Sequence, residues 1–155
     1  MALGAGWIEK VEGRTGPVIS CIDGSDESRS AARLAAFLHD RLGFPLILLF
    51  VASEVTQPGV SAAPRGQERL AEEERRAAEE LLREVAADVG ATDADLRVEY
   101  GAAADRVLEV CEAEGAAFVV LGSRGRGRMK AAVLGSVSRD VAARAPCPVI
   151  VVHAL

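Results

Sequence analysis

Gly122, Gly125 and Gly127 place three glycines within six residues, interleaved with Arg124, Arg126 and Arg128, and a second glycine step, Gly135 with Ser136, follows shortly after. Backbone amides without flanking side chains can crowd around an anion, and a helix opening near Gly135 and Ser136 adds unpaired N–H groups and the positive end of its dipole. Six basic residues against a single aspartate make 122–144 positive inside a chain of formal net charge -5. Positive charge is concentrated where a phosphate chain would sit. Two familiar phosphate loops do not fit. The pattern G-x-x-x-x-G-K-[ST], aligned on Gly122 and Gly127, needs Lys and Ser or Thr where Arg128 and Met129 stand. The dinucleotide fingerprint G-x-G-x-x-G needs a glycine at Lys130 and follows a first strand, whereas this loop follows a fourth.

Hydrolytic machinery is poorly represented. The only histidines are His39, in a helical stretch read as surface, and His153, near the chain end, so neither Ser-His-Asp nor Cys-His can be assembled beside the glycines. Nucleic-acid recognition is also disfavoured. One Trp, one Tyr and four Phe leave few rings for base stacking, and the acidic balance, with a pI near 5.1, lacks the excess of Lys and Arg such proteins carry. Solvation accounts for Arg126 and Arg128 without a partner.

A loop of this kind must be held by rigid elements. Five apolar runs, 17–23, 45–52, 96–100, 117–121 and 148–153, alternate with long amphipathic segments, the signature of βα units around a parallel sheet. The segments between them keep helical spacing, as in Ala31, Leu34, Ala35, Leu38 and Leu42, or Ala78, Leu81, Leu82, Val85 and Val89. Gly43, Gly90 and Gly115 fall just past the periodic stretches, and Pro146 stops the last. The connection 53–66, with two prolines and two glycines, reads as a long loop that could serve as a lid. Seven glutamates and four arginines in 68–84 read as a solvated helix face laced with ion pairs.

A chain of 155 residues, half of them hydrophobic, suits one domain with a core of its own. Residues 1–16, glycine-rich and without period, read as a flexible extension, and 17–155 as the domain. Cys21, Cys111 and Cys147 lie in apolar surroundings without a C-x-x-C pair, which reads as buried thiols in a reducing compartment. The longest apolar run, 46–52, is far short of the ~20 residues a membrane helix needs, so the expected location is the cytoplasm, with no membrane partner.

The spacing that does fit is G-x2-G-x9-G-[ST], carried by Gly122, Gly125, Gly135 and Ser136. With a first strand ending in Asp23 and a last strand after Pro146-Cys147-Pro148, the chain resembles the nucleotide-binding branch of the universal stress protein family over 17–153. The resemblance implies an α/β fold, a single doubly wound five-stranded parallel sheet of order 3-2-1-4-5 with helices on both faces. It implies that Asp23 and Val51 lie by the adenine and ribose, that Leu121 and Gly122 floor the site, and that Gly125, Gly135, Ser136 and Val137 surround the phosphates, with Arg124 beside them. The expected ligand is ATP or AMP, with Mg2+ possible at Asp23. The same Asp23 could instead close an Asx turn or cap with Gly24, Ser25 and Asp26. Ser136 is expected to cap the fourth helix and offer its hydroxyl to a phosphate.

The function so implied is a stress-response switch that binds an adenine nucleotide and hydrolyses ATP slowly at most, working through an unknown protein partner. The alternative is a dimeric protein-interaction module that binds no nucleotide. In either case the last run, starting at Pro148 and ending at His153, is expected to be an apolar sheet edge that pairs with its copy in a homodimer.

Overall fold

The computed structural model describes residues 13–53, 65–125 and 134–154, with side chains from 68 onward in the second stretch. The chain alternates strand and helix: β1 (Val18–Cys21), α1 (Asp26–Leu42), β2 (Leu46–Ala52), α2 (Arg65–Asp88), β3 (Asp95–Tyr100), α3 (Ala103–Ala113), β4 (Phe118–Gly122), α4 (Ser136–Arg144) and β5 (Val149–Val152). The strands form one sheet in the order β3-β2-β1-β4-β5, every pair parallel. The expected fold class and strand order are both found.

Strand alternation explains the two faces. Successive side chains on a strand point to opposite sides. Val18, Leu46, Leu48 and Val120 therefore pack in one layer, under α1 and α2, with Ala31, Ala35, Leu82 and Val85. Ile19, Ile47, Leu49, Val119 and Leu121 face the other way, under α3 and α4, with Val107, Cys111 and Val141. Each fully buried aliphatic side chain here contributes about 1.5–3 kcal/mol relative to exposure. Winding runs outward from β1 through β2 to β3, and α3 carries the chain back to β4 on the other side of β1. The carboxyl ends of β1 and β4 thus flank the point where winding reverses, where ligands of such sheets bind.

Helix ends follow the sequence signals. Gly43 caps α1 with φ 74°, its N–H donating to His39 O at 2.9 Å. α2 starts at Arg65, inside the stretch read as a loop, so the connection before it is shorter than expected; 54–64, where the lid was placed, lies outside the described residues. The charged face of α2 is the solvated ladder its composition implied. Arg75 pairs with Glu72 and Glu79, Arg76 with Glu72, and Arg83 with Glu79.

The end of the expected extension is tied down. Arg14 donates to Ala116 O at 2.9 Å and to Pro146 O at 3.2 Å, fastening the chain beneath the starts of β4 and β5. Gly16 lies so close to Gly115 that a Cβ there would stand 1.9 Å from its carbonyl oxygen. Residues 1–12 lie outside the described residues.

Candidate functional site

The loop leaving β1 is ordered by its own polar side chains. Asp23 Oδ1 accepts from Ser25 N at 2.9 Å and from Ser25 Oγ at 2.6 Å, which closes an Asx turn. Ser25 is the N-cap of α1, its hydroxyl oxygen accepting from Ser28 N at 3.1 Å. Ser28 Oγ in turn donates to Ser25 O at 2.9 Å. The turn reading of Asp23 is therefore real, and it occupies only one carboxylate oxygen. The other, Oδ2, faces the glycine loop: a Cβ on Gly125 would stand 2.8 Å from it. A side chain at Gly125 meets this carboxylate before it meets any ligand.

Gly122 has a packing reason for its bareness, beside the place at the floor of the site that the resemblance implies. A Cβ there would lie 2.6 Å from Glu27 Cβ and 2.9 Å from Glu27 C, so its bareness lets the end of β4 seat against the first turn of α1. Phosphate approach does not explain that contact. Ser123 continues the strand's path, its N–H donating to Val152 O at 2.7 Å. Its carbonyl accepts from Gly135 N at 2.7 Å and lies 3.1 Å from Ser138 Oγ, which ties the two halves of the motif together across 126–133. Ser123 Oγ is buried without a hydrogen-bond partner among the described residues.

The start of α4 corrects the expectation for Ser136. The N-cap is Gly135, in extended conformation with φ -61° and ψ 161°, and no side chain caps it. Ser136 is the first helical residue and exposed. A cap residue must hold extended dihedrals outside the helix, and here the glycine holds them. The hydroxyl that does engage this turn is Ser138, buried, 3.0 Å from Gly135 O. It acts as a donor to carbonyls, and among the described residues no side-chain cap bonds the leading amides of α4. Nor does the first turn contain an acidic residue.

Between these loops lies a cavity of about 120 Å³. Asp23, Val51, Leu121, Gly122, Gly125 and Val137 line it, six of the nine residues expected from the motif. Gly135, Ser136 and Arg124 are not among the lining residues; the first two open α4 just before Val137, and Arg124 lies half-buried between Ser123 and Gly125. Arg126, Gly127, Arg128, Met129 and Lys130 lie outside the described residues. Leu49, Cys21, Val107 and Ser138 also line the cavity and were not foreseen. Leu49 and Cys21 sit two positions before Val51 and Asp23 on their strands, so the period of two could have found them. Ser138, three residues after the cap glycine, carries the weaker signal of a polar residue in a first helical turn. The lining is chiefly aliphatic with a few polar groups, Asp23 and Ser138 among them, as is usual for a small-molecule site.

Electrostatics in the cavity favours neutral walls. Burial, with Asp23 and Cys147 nearby, pushes the Cys21 thiol up to about 12, so it stays protonated at neutral pH. Among the described residues no three His, Cys, Asp or Glu side chains are grouped to hold a metal. A cation at Asp23 would need ligand oxygens from the phosphates themselves. Both histidines are remote from the cavity lining. His39 lies 2.6 Å by Nδ1 from Phe44 O and 3.3 Å by Nε2 from Asp93, and His153 is exposed beyond β5. Two larger hollows, of about 360 and 390 Å³, run along α2. The first is walled by the ion-paired Arg75, Glu79 and Arg83, and neither borders the glycine loop.

Comparison with known proteins agrees with this geometry. The sequence pattern of the universal stress protein family matches residues 15–153. A universal stress protein of Thermus aquaticus is 32% identical over 136 residues, which span 88% of this chain and 97% of the relative. The universal stress protein UspA from Lactobacillus plantarum has the same fold, with TM-score 0.75 and 21% identity over 91% of this chain and 99% of that one. A universal stress protein solved in complex with cAMP matches with TM-score 0.71 and 25% identity over 92% of this chain and 100% of its own.

Proposed function

The chain belongs to the universal stress protein family, and from that premise we propose that it binds an adenine nucleotide between the ends of β1 and β4 and works as a regulatory switch. The observation that carries this reading is an aliphatic cavity that reaches Val137 and Ser138 in the first turn of α4, a helix whose N-cap is a glycine without a side-chain cap among the described residues. The base would enter between Val51, Leu49 and Leu121, and the phosphates would meet the amides of 135–137 and of the bare Gly125. The relative in complex with cAMP supports an adenylate over other nucleotides. Asp23 Oδ2, facing the same space, would accept from a ribose hydroxyl or contact Mg2+ held by a diphosphate. Arg124 would add positive charge beside the phosphates.

Turnover is not part of the proposal. Among the described residues lining the cavity, Asp23 is the only group able to act as a base, and its Oδ1 is engaged by Ser25. Phosphate release from ATP is expected far below about 1 per second, the lower end of ordinary enzyme rates. Calorimetric titration of protein freed of small molecules with ATP, AMP and cAMP is the test. Heat of binding that disappears in Gly125→Glu supports the reading; silence toward all three ends it.

The second reading, a dimeric interaction module without nucleotide, rests on β5. All four of its residues are half-buried and its outer edge pairs with no strand of the described chain. A two-fold dimer through this edge is compatible with either reading, and light scattering at micromolar concentration should give twice the chain mass.

A further inference from the structure

Ser138 brings the one hydroxyl found among the described residues that line the cavity. It stands third in α4, where the Cα–Cβ bond tilts back toward the helix start, and it is only 3% exposed. Its Oγ lies 3.0 Å from Gly135 O and 3.1 Å from Ser123 O. A hydroxyl carries a single proton, so it donates to one of these carbonyls at a time.

Neither carbonyl depends on that proton. Ser123 O already accepts from Gly135 N at 2.7 Å, and Gly135 O from Arg139 N at 3.0 Å. Stranding a buried carbonyl would be costly, but here each keeps a backbone donor when the hydroxyl turns away. The Ser138 proton is therefore surplus to the fold, and it sits in the wall of a cavity. The third residue of α1 is placed differently. Ser28 Oγ donates to Ser25 O at 2.9 Å and accepts from Asp23 N at 3.4 Å, and Ser28 does not line the cavity.

We propose that the Ser138 hydroxyl is a ligand-binding group, turning from its two carbonyls to donate to a phosphate oxygen of the adenylate. The inference rests on the nucleotide reading and adds to it a contact that the glycine motif does not contain. A hydrogen bond to an anion is stronger than one to a neutral carbonyl, so the turn is favourable once a phosphate is in place. Without ligand the hydroxyl returns to Gly135 O or Ser123 O, which spares it from standing unpaired in an apolar wall. Ser138 lines the cavity while Gly135 and Ser136 do not. The phosphate within its reach is therefore the one next to the ribose, which AMP and ATP share and adenosine lacks.

Calorimetric titration of the full chain with adenosine, AMP and ATP, beside urea unfolding, is the test. Ser138→Ala should bind AMP and ATP each about tenfold more weakly than the wild type, the lower end of what a hydrogen bond to a charged group contributes, and should bind adenosine as tightly as the wild type does. Its unfolding midpoint should hardly move, because both carbonyls keep their N–H donors. Ser138→Thr, which keeps a hydroxyl, should retain the wild-type preference for AMP over adenosine. If Ser138→Ala loses no affinity for AMP, or loses as much for adenosine as for AMP, this inference is overturned while the nucleotide reading stands. A wild type silent toward all three ligands removes that reading and this inference with it.

Discussion

The two central strands each lead into a helix, and those helices start in opposite chemical states. At α1 the first turn is closed: Ser25 accepts from Ser28 N, Asp23 holds Ser25 in place, and Asp26 and Glu27 complement the dipole with negative charge. At α4 the cap is a glycine, no side chain of the described residues caps it, and no acid stands in the first turn. α3 also lacks a side-chain cap at Ala102 but carries Asp105 in its first turn. The same fold element has thus been finished as structure at one position and left open at another. Val137 and Ser138 in the first turn of the open one line the cavity, while on the α1 side Asp23 presents a carboxylate to it.

Erasing the open side should have the largest effect. Gly125→Glu forces a carboxylate toward Asp23 Oδ2, 2.8 Å from the position of its Cβ, and should weaken adenylate binding on the order of a hundredfold by calorimetry, about 2.8 kcal/mol. Because Gly125 is exposed, the thermal midpoint should hardly move. Gly122→Ala strikes the joint between the two sides. Its methyl would lie 2.6 Å from Glu27 Cβ, and this overpacking should cost about 2 kcal/mol in urea unfolding as the start of α1 is pushed away.

Making α4 resemble α1 is a sharper test. Gly135→Asp has room, its nearest neighbour being 3.5 Å from the new Cβ, and its φ of -61° suits any residue. The new cap should stabilise the fold against unfolding by a few tenths of a kcal/mol while weakening nucleotide binding about tenfold, since its carboxylate takes the same amides. Equal affinity in that variant would show that the amides of α4 do not meet the ligand. Opening α1 by Ser25→Ala should cost about 1 kcal/mol of stability, with less change in affinity than Gly135→Asp produces.

The smallest effect belongs to the solvated ladder on α2. Hydrogen bonds from Arg75 and Arg76 hold the Glu72 carboxyl at about 2, below its ordinary value of 4.5. Its contribution is therefore present above the ordinary value and lost as pH falls through about 2. Glu72→Gln should melt slightly below the wild type at neutral pH, and the gap should close in acid. The side chains are exposed, so the difference should be the least of the five.

Strands β2 and β4 and the stripes of α1 and α2 were readable because burial on a parallel sheet demands unbroken apolar runs and helical burial demands a stripe. The strand order came with the family resemblance, since local patterns do not encode which strands pair. The glycine spacing pointed to a loop two of whose glycines line the cavity, yet it could not separate two reasons for lacking a side chain. Gly122 is bare for Glu27, and Gly125 is bare beside Asp23. The motif singles out Ser136 as the capping hydroxyl, but with Gly135 holding the cap dihedrals it is Ser138 that turns inward. Arg14 was hidden among glycines because its partners are carbonyls of 116 and 146, contacts that no local window contains.

Because all strands run the same way, the molecule has a chemical top and bottom. Connections leaving β1 and β4 collect at the top with the cavity, whereas Arg14 anchors the incoming chain at the bottom, under the entries to β4 and β5. A probe fixed at residue 13 or 14 would therefore start from the end of the sheet opposite the cavity, separated from it by the length of the strands.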